Sequence, residues 1–513
     1  MTIKFKEETK VSKKLVYDVN DRPVLSRLLV LSLQQILAIL AATIAVPTII
    51  GLPTQIPAAI FGAGVGTLVY QLFTKFKSPV FLGSSFAFLN SLAVAVMYGY
   101  CGIVIGSVVA GLVYVALAFV IRFVGTGWVN KLMPPVIIGP TVALIGLSLA
   151  GAAMGDMVKA NSSALNGGYN LIGLLCGLVT FITVVICSTQ KKYKMPKLIP
   201  FIIGIGAGYA VATVFTLIGT IADLDYLMII NWSPIKNNFV DAAGNFKGLE
   251  AFISFPDLAI VEAIRELVNG EFSAEILAAN LANGNLPEKL TFGGVVEVIV
   301  AFLPVALVVF AEHIADHKNL SSIIDHDLIE DPGLDKTLLG DGVGSIAGTV
   351  FGICPNTTYG ESVGCVAITG NASVITITTT AIMCIILSFI SPLTALLQTI
   401  PSCVMGGICL TLYGFIAVSG LKMFKELDLN ENKNLFVVAA ILISGIGGLT
   451  IQIPYALNDA GTVSKAIQVT AIATALLLGI ATNAILTALE KSRLGKEEES
   501  AEENVEVSEN TEE

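Results

Sequence analysis

The sequence predicts an all-α polytopic membrane protein of about fourteen transmembrane segments, in two inverted seven-span repeats with short strand-like breaks in spans three and ten. Three observations carry this. Of the 513 residues, 54% are hydrophobic and only 13% charged, whereas soluble domains carry about 25% charged residues. The deficit is concentrated in runs free of Asp, Glu, Lys, Arg and His over 28–74, 78–121, 132–155, 160–190, 198–222, 435–458 and 466–489. A spanning helix needs about 20 mostly apolar residues, so several of these runs hold two. Third, unusual segments recur at similar offsets in the two halves.

Residues 1–26 form a basic, polar N-terminal segment, and the apolar run after it is too long for the core of a secretory signal. Spans one to four fall at 27–51, 56–74, 79–95 and 100–122, and spans five to seven at 129–151, 168–188 and 197–220. The loop 221–292 carries ten acids against four basic residues, with helix-compatible periodicity over 256–269 and 273–282, and is expected to form a small cap. Spans eight to eleven follow at 293–316, 337–353, 357–368 and 371–394. Spans twelve to fourteen fall at 398–421, 434–453 and 465–489. The last 24 residues, 490–513, hold ten of the 39 acids and read as a solvated, disordered tail.

Lysines and arginines orient the spans. They cluster in residues 4–27, at Lys75 and Lys77, at Arg122 and Lys131, over 191–197, and at Lys422, Lys425 and Lys433. All lie on one side of this map. Both termini are then cytoplasmic in a cell (plasma or inner) membrane, and the acidic 221–292 loop is external.

The repeat rests on two pairs of segments. Met133-Pro-Pro-Val-Ile-Ile-Gly-Pro140 opens span five, and Ile400-Pro-Ser-Cys-Val-Met-Gly-Gly407 opens span twelve. Phe81-Leu-Gly-Ser-Ser-Phe-Ala-Phe88 belongs to span three, and Pro355-Asn-Thr-Thr-Tyr-Gly-Glu-Ser-Val-Gly364 to span ten. An odd number of spans per half makes the halves inverted. Broken segments at matching places point to a midplane site, because irregular backbone at that depth must line a cavity or be buried in protein. Ser84, Ser85, Thr357, Thr358 and Tyr359 are strand-compatible. Paired across the two breaks, they would leave helix N-termini facing a ligand.

Two acids stand out. Glu361 is the sole charged residue between 342 and 421. A carboxylate at the bilayer centre costs about 2.5–3.5 kcal/mol on insertion scales, which marks a functional site. Glu312 ends the apolar run 298–311 and sits four residues before Asp316, so the two share a helix face. Like charges so placed repel, and the pair is suited to carrying a proton. The alternative, that span eight ends at Ala311 and these groups form a solvated cap, weighs more for His313, His317 and Lys318 than for Glu312. The three histidines give no metal-ligand spacing, and no nucleophile–base pair appears within the spans. No enzyme activity, cofactor, metal or nucleic-acid partner is expected. The eight cysteines form no CxxC pair and read as buried small hydrophobes.

Ala311-Glu-His-Ile-Ala-Asp-His317 and Tyr359-Gly-Glu-Ser-Val-Gly-Cys-Val-Ala-Ile-Thr-Gly370 resemble the nucleobase–ascorbate transporters, also called the nucleobase:cation symporter-2 family, and within it the bacterial uracil permeases. That family's span-ten motif maps onto Glu361, Ser362, Gly364 and Thr369. The runs Gly83-Ser-Ser-Phe-Ala-Phe88 and Val404-Met-Gly-Gly-Ile-Cys-Leu-Thr-Leu-Tyr413 are similar to it as well. The resemblance covers residues 25–490 apart from the loop after span seven.

It implies a core domain of residues 27–122 and 293–394, a gate domain of 123–220 and 395–489, and a nucleobase entering between them with a proton. It also suggests a homodimer through the gate domains. Glu312 and Glu361 would bind the base, Phe86 would offer its backbone amide and ring, Gly360 a backbone contact and Tyr413 an aromatic one. Ser85 lies beside them in the span-three break. A carboxylate accepts from the N–H groups of uracil and backbone amides donate to its carbonyls, and unpaired buried groups penalise the wrong base.

The chain departs from the uracil pattern at Asp316, where uracil permeases carry His and many purine and xanthine members Asp. Glu361 follows the uracil pattern, where purine members more often have Gln. The Gln-His pair of span one reads Gln34-Gln35 here. Uracil–proton symport is the favoured reading and a xanthine or purine symporter the alternative. An anion transporter or channel of the same architecture is a reading of another class, against which Glu361 argues by repelling an anion.

Overall fold

The computed structural model describes residues 15–509 except 160–167, 191, 193–195, 198, 242, 283 and 458–462. Helices α1 (Leu25–Ile49), α2 (Ile56–Phe73), α3 (Leu89–Val96) and α4 (Gly99–Val124) come first, with strand β1 (Leu82–Ser84) ahead of α3. Then follow α5 (Pro135–Ser148), α6 (Ala150–Val158), α7 (Leu171–Thr189) and α8 (Pro200–Ala222), and the short α9 (Ala259–Asn269) and α10 (Ala274–Ala282). The second half holds α11 (Phe292–Ile324), α12 (Leu334–Val350), β2 (Asn356–Thr358), α13 (Gly360–Thr369), α14 (Val374–Ser388) and α15 (Ser391–Gln398). It ends with α16 (Ser402–Lys422), α17 (Asn432–Ile446), β3 (Ile451–Leu457), β4 (Val463–Val469) and α18 (Ala471–Glu509). Among the described residues, nine helices are long and apolar enough to cross a membrane, and Phe86–Val96, Val374–Ser388 and Asn432–Ile446 are shorter apolar ones.

The helices meet through small residues, as expected where apolar side chains gain nothing by leaving lipid and close backbone approach supplies the attraction. α12 packs against α2 and α4. A Cβ on Gly66 of α2 would sit 2.7 Å from the Gly344 carbonyl of α12, and one on Gly344 would sit 2.7 Å from the Gly66 carbonyl. α16 is the centre of a second group and packs against α5, α6 and α7.

β1 and β2 pair antiparallel in the register Leu82↔Thr358, Gly83↔Thr357 and Ser84↔Asn356. Ser85 N–H donates to the Pro355 carbonyl at 3.0 Å and Tyr359 N–H to the Phe81 carbonyl at 3.2 Å. Two short strands thus satisfy each other's backbone groups, with Thr67 of α2 closing the outer side: its hydroxyl accepts from Leu82 N–H at 2.9 Å. This is the pairing expected from the two hydroxyl-rich breaks.

The 221–292 segment forms helices at the two periodic stretches, as α9 and α10. Glu266 of α9 accepts from Tyr100 N–H at 2.8 Å, placing an acid at the N-terminal end of α4, where the helix dipole favours it. Gly99 turns the chain there with φ +70°, and a side chain at that position would collide with the Glu266 carboxylate.

Three expectations are corrected. A span over 434–453 is expected, but α17 stops at Ile446, and β3 and β4 pair antiparallel with Ile451 opposite Val469; the span expected over 465–489 is present from Ala471 as the first part of α18. Gly445, Gly447 and Gly448 (φ +72°) end the helix. Ile451-Gln-Ile-Pro and Ala466-Ile-Gln-Val then alternate as a strand does, which an apolar count cannot register. The acidic segment after Glu490 continues α18 as helix to Glu509 rather than forming a disordered tail, in keeping with the helix propensity of its Glu and Ala residues. Finally, α11 ends neither at residue 316, the expected end of span eight, nor at Ala311, the alternative. It runs to Ile324 and buries His313, Asp316 and His317. The eight cysteines are all free and buried.

Candidate functional site

Where β1 and β2 pair, two helical segments begin. The turn Phe86–Phe88 leads into α3, and Gly360 opens α13. Neither N-cap residue, Ser85 or Tyr359, makes a side-chain capping bond. The first N–H groups of both segments therefore lack the partner a cap would give and are available to an acceptor. Tyr359 instead ties the two breaks together, its hydroxyl donating to the Ser84 carbonyl at 3.0 Å.

A cavity of about 470 Å³ adjoins this crossing, lined by Ser85, Phe86, Glu312, Asp316, Gly360 and Glu361. The three carboxylates come from two elements. Glu312 and Asp316 lie one turn apart on α11, and Glu361 sits in the first turn of α13. Asp316 is held in place, its Oδ2 accepting from the Thr358 hydroxyl at 2.8 Å. Glu361 Oε1 and Ser85 Oγ are buried and have no hydrogen-bond partner among the described residues, so hydrogen-bonding capacity is left over at the cavity wall. A Cβ at Gly360 would meet nothing closer than Asp316 Oδ1 at 3.7 Å, so the backbone there is open to a neighbour.

Six of the seven residues singled out from sequence thus share one cavity. Tyr413 is the seventh and does not line it. It is buried behind Phe86, the two rings edge-to-face with centroids 5.2 Å apart, and it fixes the Phe86 ring rather than reaching the cavity. Gln35, one member of the Gln34-Gln35 pair, donates from Nε2 to the Ser362 hydroxyl at 2.6 Å, next to Glu361 in the chain.

His313 and His317 form a separate buried network. His313 Nδ1 lies 2.7 Å from Asp341 Oδ2 on α12, and its Nε2 lies 3.1 Å from the Thr337 hydroxyl. His317 Nδ1 donates to the His313 carbonyl at 2.8 Å, and its Nε2 meets the Tyr70 hydroxyl at 2.8 Å. Neither ring lines the cavity. Burial of both rings rules out the solvated cap for them, whereas Lys318 is exposed. Sequence reasoning also missed Asp341 as a partner, though an acid opening an 80-residue stretch with one other charge was a usable signal.

The cavity continues toward one end of the bundle, past Asn319 on α11, Ile368 on α13, Ser188 on α7, and Ser419 and Lys422 on α16, with Lys197 just before α8. No sequence signal distinguished these from other residues near helix ends.

The Permease family model (Xan_ur_permease) matches residues 26–453. The chain is 34% identical to the uracil permease of Bacillus caldolyticus over 476 residues, covering 92% of this chain and 95% of that protein. It is 33% identical to the uracil permease of Bacillus subtilis (strain 168) over 477 residues, covering 92% and 96%. Among solved structures, the murine Solute Carrier 26 family member A9 anion transporter in the inward-facing state is similar in fold, with a TM-score of 0.58 at 11% identity over 92% of this chain and 69% of that one. The chain belongs to this permease family and is a multi-pass membrane protein.

Proposed function

We propose that this permease imports uracil together with a proton. Glu312 and Glu361 accept from the N–H groups of the base. The open N–H groups at Phe86 and Gly360 donate to its carbonyls, Ser85 lends its hydroxyl, and the Phe86 ring, backed by Tyr413, packs on the base. The observation that carries this reading is the leftover hydrogen-bonding capacity of Glu361 Oε1 and Ser85 Oγ on one cavity wall. A flat ligand carrying alternating N–H and C=O groups matches carboxylates beside uncapped helix ends. The uracil permeases of the two Bacillus species support uracil as that ligand.

In this proposal two inverted halves of seven spans each together build a core, the helices around α12 (27–122 and 293–394), and a gate, those around α16 (123–220 and 395–489). The lysine-bearing helix ends are cytoplasmic by the positive-inside rule, so the cavity faces inward and the 221–292 cap is external. Glu312, Asp316 and Glu361 are the proton-carrying groups, since three carboxylates around one cavity cannot all stay charged cheaply. The same charge disfavours an anionic cargo.

Asp316 favours a second reading, a xanthine or purine symporter, because a third carboxylate suits a base with more N–H groups. A thermal-shift panel of uracil, xanthine, guanine, uric acid and sulfate on purified protein decides between them. Stabilisation by uracil above the others supports the first reading, and stabilisation by xanthine alone replaces it with the second.

A further inference from the structure

We infer that the inner mouth of the cavity is a phosphate subsite, so that a nucleoside monophosphate carrying the transported base binds the inward-facing permease and blocks it. The inference rests on the base-binding reading of the cavity floor and adds a second ligand class to it.

Size comes first. A cavity of about 470 Å³ falls in the roughly 300–1,000 Å³ range that holds drug-sized ligands, and a single pyrimidine ring is far smaller than those. The spare space is not featureless. The acids that line the cavity are Glu312, Asp316 and Glu361, all at the floor, whereas the mouth is lined by Lys197 and Lys422 with Asn319, Ser188 and Ser419 between. Both lysines are exposed, and neither is in an ion pair among the described residues. Ser188 Oγ is buried with no hydrogen-bond partner among the described residues. The positive-inside rule explains lysines at this end of the bundle but not lysines lining the cavity. Lys433, at the same end, is spent on Glu490 at 2.8 Å, and Lys131 lies elsewhere.

The spacing fits. Tyr413, which backs the floor through Phe86, and Lys422 are nine residues apart on α16, about 13 Å along the axis. Helical side chains lean toward the helix N-terminus, which for Lys422 is back toward the floor. On α11, Asn319 follows Glu312 by seven residues, about 10 Å. A nucleotide bound this way keeps its N3–H edge at the carboxylates, since only N1 is substituted. Its ribose passes Asn319, and its phosphate meets two ammonium groups, which bind phosphate as point charges. Such a ligand touches α11 and α13 on one side and α16 on the other. It therefore competes with the free base and holds the two groups of helices in the inward arrangement.

The test is displacement of radiolabelled uracil from purified full-length protein by uridine 5′-monophosphate, uridine and inorganic phosphate. The monophosphate is expected to compete about tenfold better than uridine, the gain of two exposed charge pairs, and phosphate alone to compete weakly. In K197Q/K422Q that advantage should vanish while uracil affinity stays within about twofold of the parent, and K197R/K422R should restore it. Uracil binding with the monophosphate no better than uridine, or an advantage untouched in K197Q/K422Q, overturns the subsite alone. Absence of uracil binding overturns the base reading and the subsite with it.

Discussion

The Thr358 hydroxyl donates to the Asp316 carboxylate at 2.8 Å, tying an acid of α11 to the strand crossing that also launches Glu361. Among the described residues Asp316 is thus the one cavity acid anchored by a neighbouring side chain, and it is where the chain departs from the uracil pattern. T358V should release it and weaken uracil binding by about tenfold, the loss of one hydrogen bond to a charged group. D316H should raise the preference for uracil over xanthine. Competition binding with both bases checks each, and an unchanged uracil-to-xanthine ratio in D316H would remove Asp316 from the specificity account.

The proposed proton coupling rests on three carboxylates lining one cavity. Uptake into proteoliposomes should collapse with a protonophore and survive replacement of sodium by choline. Uptake that needs sodium and ignores the proton gradient would contradict the coupling.

The cap gives a pH dependence of its own. Burial is the largest influence on the Glu266 carboxyl and, with the nearby Glu262 charge, pushes it above its ordinary value of 4.5, against the pull of Tyr100 and Ser273 N–H. An acid raised in this way binds its proton more tightly docked than undocked. It therefore favours the docked cap below its ordinary value, and that contribution is lost as pH rises through the raised one. Asp257 and Glu262, also pushed up chiefly by burial, act in the same direction. Hydrogen exchange over 259–282, corrected for intrinsic rate, should be slower at low pH, and E266Q should shrink the difference without abolishing it.

What could be read from the sequence was what burial makes expensive. Glu361 and Glu312 stood out because charge is costly in a membrane. The strand crossing stood out because Ser, Thr and Gly clusters interrupt apolar helices at matching places. The pairing of β3 with β4 was invisible to that logic, since their alternating Ile, Gln and Val residues count as apolar as a helix does. The Asp341–His313 pair needed α11 and α12 both packed against α4 before 28 residues of separation became 2.7 Å. The mouth of the cavity needed five separate elements to converge, and no one of them carries a motif.

Glu361 is the residue on which the account turns, and binding of uracil to E361A by isothermal titration calorimetry tests it most directly. Uracil affinity is expected to fall by about a hundredfold or more, the loss of a charge-assisted contact at a buried site, while the melting temperature of the ligand-free protein holds or rises because a costly buried carboxylate is gone. Parental uracil affinity in E361A would contradict it.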